Sequence, residues 1–199
     1  MRVLGIGAHP DDIELGCFGT LSKHKARGDV IHEIVLTDSG LSGNTKVRMA
    51  EARKAARIIS AKVYFGGFSE GNLRDTHEVV NYIEDLINDV RADIMYIHVA
   101  ADRHQDHRYA SLASTSAARS VEQVYGYETP SALGFSPTKY VDVTRYMGKK
   151  IEALNCHASQ CKLANLDQGA MLGLARYRAH QAGLPGKMAE AFEVIRIVS

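Results

Sequence analysis

Two short clusters in this sequence concentrate the residue types that bind metals and move protons. The first is Ala8-His9-Pro10-Asp11-Asp12; the second runs from His98 to His107 and ends in His104-Gln105-Asp106-His107. A single aspartate at the start of a helix ordinarily caps it and favours the positive end of its dipole. Two adjacent carboxylates, with a histidine just before them, exceed that need, because like charges so close repel unless a cation or a proton lies between them. A divalent metal ion is the natural solution. With Pro10 stiffening the turn, His9 and Asp12 aim at one point and Asp11 slightly elsewhere. A catalytic zinc site typically takes two or three histidines with one carboxylate and leaves a position open to water. His107 is the best third ligand, since the HxDH spacing puts His104 and His107 on one side of a turn.

On this reading Asp11 remains free as a general base. His104 faces the substrate carbonyl, and Asp106 orients His104 by accepting its ring N–H. Zinc is the expected metal, although iron or cobalt would fit the same ligands. His98 falls inside a strand and reads as a core histidine. Glu14 reads as a bond to the loop, and Asp102 and Arg103 as a mutual pair or as ties within it.

The elements that must position these clusters alternate in type. Short apolar runs at Val3–Ala8, Ile31–Thr37, Val63–Phe68 and Ile94–Val99 predict buried strands. Between them the spacing predicts helices from Ile13 to about Arg27, over Val47 to Ile59 and over Val79 to Val90. Such alternation, with strands apolar on both faces, predicts an α/β fold: a mostly parallel sheet with helices on both faces. After Ala110 the pattern loosens, with strands expected at Val121–Tyr127, Tyr140–Val143 and Ala191–Val198 and helices at Met147–Ala164 and Asp167–Ala179. Gly16 and Gly19 are expected to let the first helix approach the sheet closely. Both chemical clusters fall just after strands, the first and the fourth, where ligands bind in open α/β sheets.

Length and charge narrow the function classes. At 199 residues, residues 1–199 read as a single domain able to bury roughly 70% of its unfolded surface without disulfides. A formal net charge of +1 with no basic stripe argues against nucleic acid as a partner. Cys17, Cys156 and Cys161, an odd number without CxxC spacing, fit a reducing cytosol. No apolar run approaches the roughly 18 residues of a membrane span, and no leader is visible, so a cytoplasmic location is expected. Gly5-Ile6-Gly7 leads into Ala8-His9-Pro10, so the GxGxxG fingerprint of nucleotide-binding oxidoreductases fails at its third glycine.

The motif Ala8-His9-Pro10-Asp11-Asp12-Ile13-Glu14-Leu15-Gly16, followed by Gly19-Thr20, resembles the AHPDD signature of the LmbE-like (PIG-L) N-deacetylases. His104-Gln105-Asp106-His107 is similar to their second motif, HPDH, and the likeness continues through Arg48–Ala56, Tyr127–Ser131 and Asn155–Gln160. The resemblance implies a Rossmann-like fold and metal-assisted removal of acetyl from N-acetylglucosamine-type sugars or sugar conjugates. It implies His9, Asp12 and His107 as metal ligands, Asp11 as general base, His104 at the oxyanion or leaving amine with Asp106 behind it, and Arg48 as a substrate contact. It also implies a homo-oligomer, trimeric or hexameric. Gln105 in place of the usual proline, and Phe18 where glycine is common, depart from the pattern without removing a chemical role. Two alternatives stand beside this reading: an amidohydrolase of non-sugar N-acyl substrates, and a non-catalytic metal- or carbohydrate-binding module. The second does not need a free base such as Asp11 beside the metal.

Overall fold

The first strand shows how the sequence builds the sheet. In Arg2–Gly7 (β1), Leu4 and Ile6 enter the hydrophobic core on one face and Val3 enters the core on the other. Both faces are apolar because both are covered by helices. The computed structural model describes residues 1–160 and 167–198. In it β1 is joined by β2 (Val30–Thr37), β3 (Lys62–Phe68), β4 (Ile94–His98), β5 (Gln123–Tyr127), β6 (Lys139–Asp142) and β7 (Ala189–Ile197). They form one seven-stranded sheet in the order β3-β2-β1-β4-β5-β7-β6. The first five strands pair in parallel, and β7 runs antiparallel to both β5 and β6. The expected mostly parallel sheet is what is found.

Among the described residues seven α-helices flank it: α1 (Asp12–Gly16), α2 (Phe18–Ala26), α3 (Thr45–Arg57), α4 (His77–Val90), α5 (Gln105–Ala117), α6 (Met147–Leu154) and α7 (Gln168–Gln181). Helices α4 and α5 cover Leu4, Ile6, Ile34 and Ile97. Helix α4 does so with a stripe of Val79, Ile83, Ile87 and Val90, and Thr76 caps its start by accepting the Val79 amide. On the other face Ile13, Phe18, Leu21, Ala55 and Ala153 pack on Val3, Ile31, Tyr96 and Tyr127. Each such large apolar side chain contributes about 1.5–3 kcal/mol on burial. Phe18, the departure from a common glycine, is fully buried in this core.

Several sequence expectations shift. The helix expected from Ile13 to Arg27 is two, broken at Cys17, whose φ of −142° is not helical. Helix α5 has no counterpart among the expected elements, because its buried face is Ala110, Ser111, Ala113, Ser114 and Ala117, residues too small to give a hydrophobic rhythm. The helix expected over Met147–Ala164 ends at Leu154, and residues 161–164 lie outside the described ones. Strand β7 begins at Ala189 rather than Ala191. Cys17 and Cys156 are free and buried; Cys161 lies outside the described residues. Among the described residues no helix is long and apolar enough to cross a membrane.

What matters for the site is the reversal of strand order at the centre. Strand β1 has β2 on one side and β4 on the other, so the chain moves outward in opposite directions from the β1–β4 seam. The turn into α1 leaves the end of β1, and the loop into α5 leaves the end of β4. The two clusters therefore meet in the crevice that this reversal opens.

Gly16 fixes how closely α1 approaches that seam, since a Cβ there would overlap the Tyr127 ring on β5. Gly16→Ala should destabilise the fold by about 1–3 kcal/mol in urea unfolding, as overpacking does. Gly148→Ala in α6, where a Cβ meets nothing within 4 Å, should be neutral or slightly stabilising in the same measurement. Equal midpoints for the two variants would refute the close approach.

Candidate active site

Asp12, the first residue of α1, lies 3% exposed at the centre of the crevice. Its Oδ2 accepts the His9 amide at 2.7 Å and lies 3.4 Å from His9 Nδ1. Its Oδ1 is 3.2 Å from His107 Nε2. His98, at the end of β4, brings its Nε2 to 3.1 Å from Asp12 Oδ2 and 3.1 Å from the Ala8 amide. The structure thus brings together His9, Asp12 and His107, although His107 is far from the other two in sequence. Two groups offer metal-ligand atoms within 4.8 Å of one another: His9, His104 and His107, and Asp12, His98 and His107. His107 belongs to both.

The outward nitrogens of the two histidines that flank Asp12 are held by two further carboxylates. His107 Nδ1 donates to Asp102 Oδ2 at 3.0 Å, and His9 Nε2 donates to Asp106 Oδ2 at 3.1 Å. This corrects the expected partner of Asp106. Its carboxylate serves His9 and the Gly71 amide (2.7 Å) rather than His104. His104 turns away because it caps α5: its Nδ1 accepts the Asp106 amide at 3.2 Å. Asp102, expected to pair with Arg103 or to tie the loop, also accepts the Thr129 hydroxyl at 2.9 Å and the His104 amide at 2.8 Å. Its i, i+5 spacing to His107 was the available signal. His98, a core histidine on the sequence pattern, is buried but faces the site.

The charges follow from this geometry. Burial alone would lower the pKa of His9, but the hydrogen bonds to Asp106 and Asp12 outweigh it and hold the ring up at about 9. For His107, the Asp12 charge and the Asp102 hydrogen bond overcome burial and raise it to about 10. His98 has no such pair of partners; burial and the neighbouring His107 charge lower it to about 4. Burial, aided by His107 and His9, also lowers His104. Two raised imidazoles, His9 and His107, thus face three carboxylates, Asp12, Asp102 and Asp106.

Asp11 is set apart from this cluster. It takes a φ of 104° as the residue before α1, a left-handed backbone that side chains rarely adopt and that Asp and Asn tolerate best. Its side chain caps nothing. Instead Arg48 of α3, 2% exposed, donates to Asp11 Oδ2 at 3.2 Å, to the Pro10 carbonyl at 2.7 Å and to the Ser42 hydroxyl. Arg48 is therefore a buried counter-charge lining the cleft, with Asp11 and the Pro10 turn as its partners. Burial, then repulsion from Asp12, pushes the Asp11 carboxyl up to about 7 against the pull of Arg48. Glu14 points away from the crevice, with Oε1 3.1 Å from Nε2 of the buried His157. The cleft over these groups measures about 250 Å³ and is also lined by Thr129–Ser131, Ser42 and Gln160.

The geometry of Asp102 makes one local prediction. Asp102→Asn should lower the pKa of His107 from its position near 10, read by NMR titration of the ring protons. An unchanged titration would show that Asp102 does not hold this ring.

Comparisons with known proteins identify a family and several relatives. Residues 4–118 match the family model described as PIG-L, GlcNAc-PI de-N-acetylase. The chain is 36% identical over 168 residues to the uncharacterized deacetylase YaiS of Escherichia coli (strain K12), covering 79% of this chain and 90% of that protein. It is 28% identical over 186 residues to the diacetylchitobiose deacetylase of Thermococcus kodakarensis, covering 80% of this chain and 70% of that one. The crystal structure of the conserved protein TT1542 from Thermus thermophilus superposes with a TM-score of 0.88 at 27% identity, covering 99% of this chain and 96% of that one.

Proposed function

The chain belongs to the PIG-L (GlcNAc-PI de-N-acetylase) family, and from that premise we propose that it is a metal-dependent hydrolase removing acetyl from an N-acetylglucosamine-type sugar or sugar conjugate. The observation that carries the reading is Asp11, a buried carboxylate held apart from the His–Asp cluster by Arg48 and facing the same cleft.

The donor set fits a divalent cation. His9 Nδ1 and His107 Nε2 both turn toward Asp12, while their other nitrogens rest on Asp106 and Asp102, the second-sphere pattern that orients metal-binding imidazoles. His9 and His107 are both raised in pKa, and one doubly charged ion can take the place of their two protons. His9, Asp12 and His107 would hold it, zinc being the first choice for this set and iron or cobalt also compatible. When bound, such an ion polarises the acetamide carbonyl and acidifies the attacking water.

The chain's own groups supply the rest. Asp11, near neutrality in its titration, takes the proton from water as the carbonyl carbon is attacked. It then returns that proton to the departing amine, so acetate and the free amino sugar are the products. Arg48 keeps the Asp11 carboxylate aimed into the cleft. Because His104 Nδ1 accepts the Asp106 amide, the neutral ring carries its proton on Nε2 and donates from there to the developing oxyanion. Removing one such donor typically costs about 3 kcal/mol of transition-state stabilisation. The diacetylchitobiose deacetylase relative supports the acetylated-sugar substrate.

Amine release from N-acetylglucosamine or its β-1,4 dimer should require added metal and stop with a chelator. Turnover that survives complete chelation would exclude the reading. Asp11→Asn, which preserves the unusual backbone, should keep metal and lose about 10²–10⁴-fold in rate. His107→Ala should lose metal in a stoichiometric assay. Metal affinity should fall as the pH drops from about 8 to about 6, because His9 and His107 must release protons to bind it. An affinity independent of pH would refute those two ligands.

A further inference from the structure

A cavity of about 470 Å³ lies between α2 and β6 and shares no lining residue with the catalytic cleft. Helix α2 and the residue that follows it present Lys23 and Arg27 to this cavity, and β6 presents Lys139. Among the described residues no carboxylate lies within ion-pair distance of Arg27 or Lys139.

The two carboxylates that line the cavity are committed elsewhere. Asp29 accepts from His24 Nδ1 and from the amino group of Met1, each at 2.7 Å. That bond puts the ring proton on Nδ1, so His24 Nε2 accepts the Tyr96 hydroxyl at 3.0 Å; burial lowers the pKa of the ring and keeps it neutral. Asp142 Oδ1 accepts the Thr144 amide and hydroxyl at 2.9 and 2.6 Å. The cations have no such partners. Lys23 donates to the Asp142 carbonyl at 3.1 Å, which leaves its charge unneutralised. Lys139 is half-buried, with its ammonium 3.4 Å from the centre of the Tyr125 ring, a contact that holds it in place without cancelling its charge. Burial, then the charge of Arg27, lowers that ammonium to about 8. Thr20, 1% exposed, also lines the cavity, and its hydroxyl has no hydrogen-bond partner among the described residues. Buried hydroxyls ordinarily have a partner. An anion between the three cations would relieve their repulsion and offer Thr20 an acceptor.

We propose that this cavity is a second binding site, separate from the catalytic cleft, for a phosphate group, free or carried by a small molecule, held by Lys23, Arg27 and Lys139. A phosphate monoester carries about −1.5 to −2 charges near neutral pH and accepts from several donors at once. A carboxylate carries one charge and would leave more of the positive charge unmatched. Arg27 supplies a planar fork of donors and the two lysines supply point charges. Tyr140 and Val141 add apolar lining beside the cations. The volume suits a whole small molecule, since ligand pockets run roughly 300–1,000 Å³. Because the cleft contributes no residue to it, this site stands independently of the reaction proposed there.

Calorimetry with inorganic phosphate, glucose 6-phosphate, AMP and glucose would test this on the wild-type protein and on the Arg27→Gln, Lys139→Met and His107→Ala variants. The wild type should bind the phosphates and not glucose, and more weakly as salt is raised. Arg27→Gln and Lys139→Met should each weaken that binding about tenfold, the size of one lost charge-assisted hydrogen bond. His107→Ala, which alters the catalytic cleft, should bind the phosphates as the wild type does. Tighter binding of glucose 6-phosphate or AMP than of inorganic phosphate would identify an organic phosphate as the occupant, and equal affinities would identify the free ion. Absence of phosphate binding to the wild type would overturn the site, as would unchanged affinity in Arg27→Gln or Lys139→Met. Binding lost in His107→Ala would place the phosphate in the catalytic cleft and overturn it equally. Unfolding midpoints would be measured for each variant. Arg27 is exposed, so its variant decides the matter even if replacement of the half-buried Lys139 disturbs the fold.

Discussion

The constraint on which the rest of this structure depends is the burial of the Asp12 carboxylate. A charge taken out of water is tolerated only when it is surrounded by donors or counter-charges. Asp12 obtains them from three directions: the turn that carries it, through the His9 amide; the end of β4, through His98; and the start of α5, through His107. Each contact fixes one piece of chain relative to the others. The His107 charge and the hydrogen bonds from His107 and His9 hold the Asp12 carboxyl well below the usual range in spite of burial. The same electrostatic need pins the two clusters together across the β1–β4 seam.

The need propagates outward. Imidazoles that neutralise Asp12 must be protonated or metallated, and both states require their far nitrogens to be satisfied. Asp102 and Asp106 do this, and they are in turn held by Thr129 and by the His104 and Gly71 amides. Asp11 is the exception. Adjacent to Asp12, it cannot join the same charge balance, and its left-handed backbone swings it to a separate counter-charge, Arg48. Two neighbouring carboxylates thus meet different partners, Asp12 the histidines and Asp11 the guanidinium, because the backbone turns between them.

Much of this was legible in the sequence because two periodicities and two motifs dominate it. Apolar runs of strand length, separated by helical stripes such as Val79, Ile83 and Ile87, define the parallel core, and the position of both motifs after strands locates the crevice. What escaped was encoded by small or doubly used residues. Helix α5 buries alanine and serine, which give no rhythm. His98 reads as structural because it lies within an apolar strand, yet its side chain leaves the strand's end toward Asp12. Adjacency pairs Asp106 with His104, but a helix N-terminus claims that ring and frees the carboxylate for His9. Arg48 gives no sign from its surroundings in sequence that it is buried, since its partner lies 37 positions away.

Tyr127 explains why motifs separated by so much chain keep one geometry. Its hydroxyl donates to the Ile6 carbonyl of β1 at 2.7 Å, which sets the end of the strand that leads into the Asp11–Asp12 turn. Its ring fills the space left by Gly16, which sets the depth of α1, and lies 4.7 Å from the His98 ring, which borders Asp12 from the β4 side. One fully buried side chain on β5 therefore touches the strand before the first motif, the helix after it and the strand that leads to the second. A buried tyrosine with its hydroxyl satisfied is stiff as well as apolar, so small displacements of any of these three elements meet resistance from the other two. Catalytic precision here comes from packing behind the site: the charged groups supply the chemistry, and the ring beneath them keeps their separations fixed.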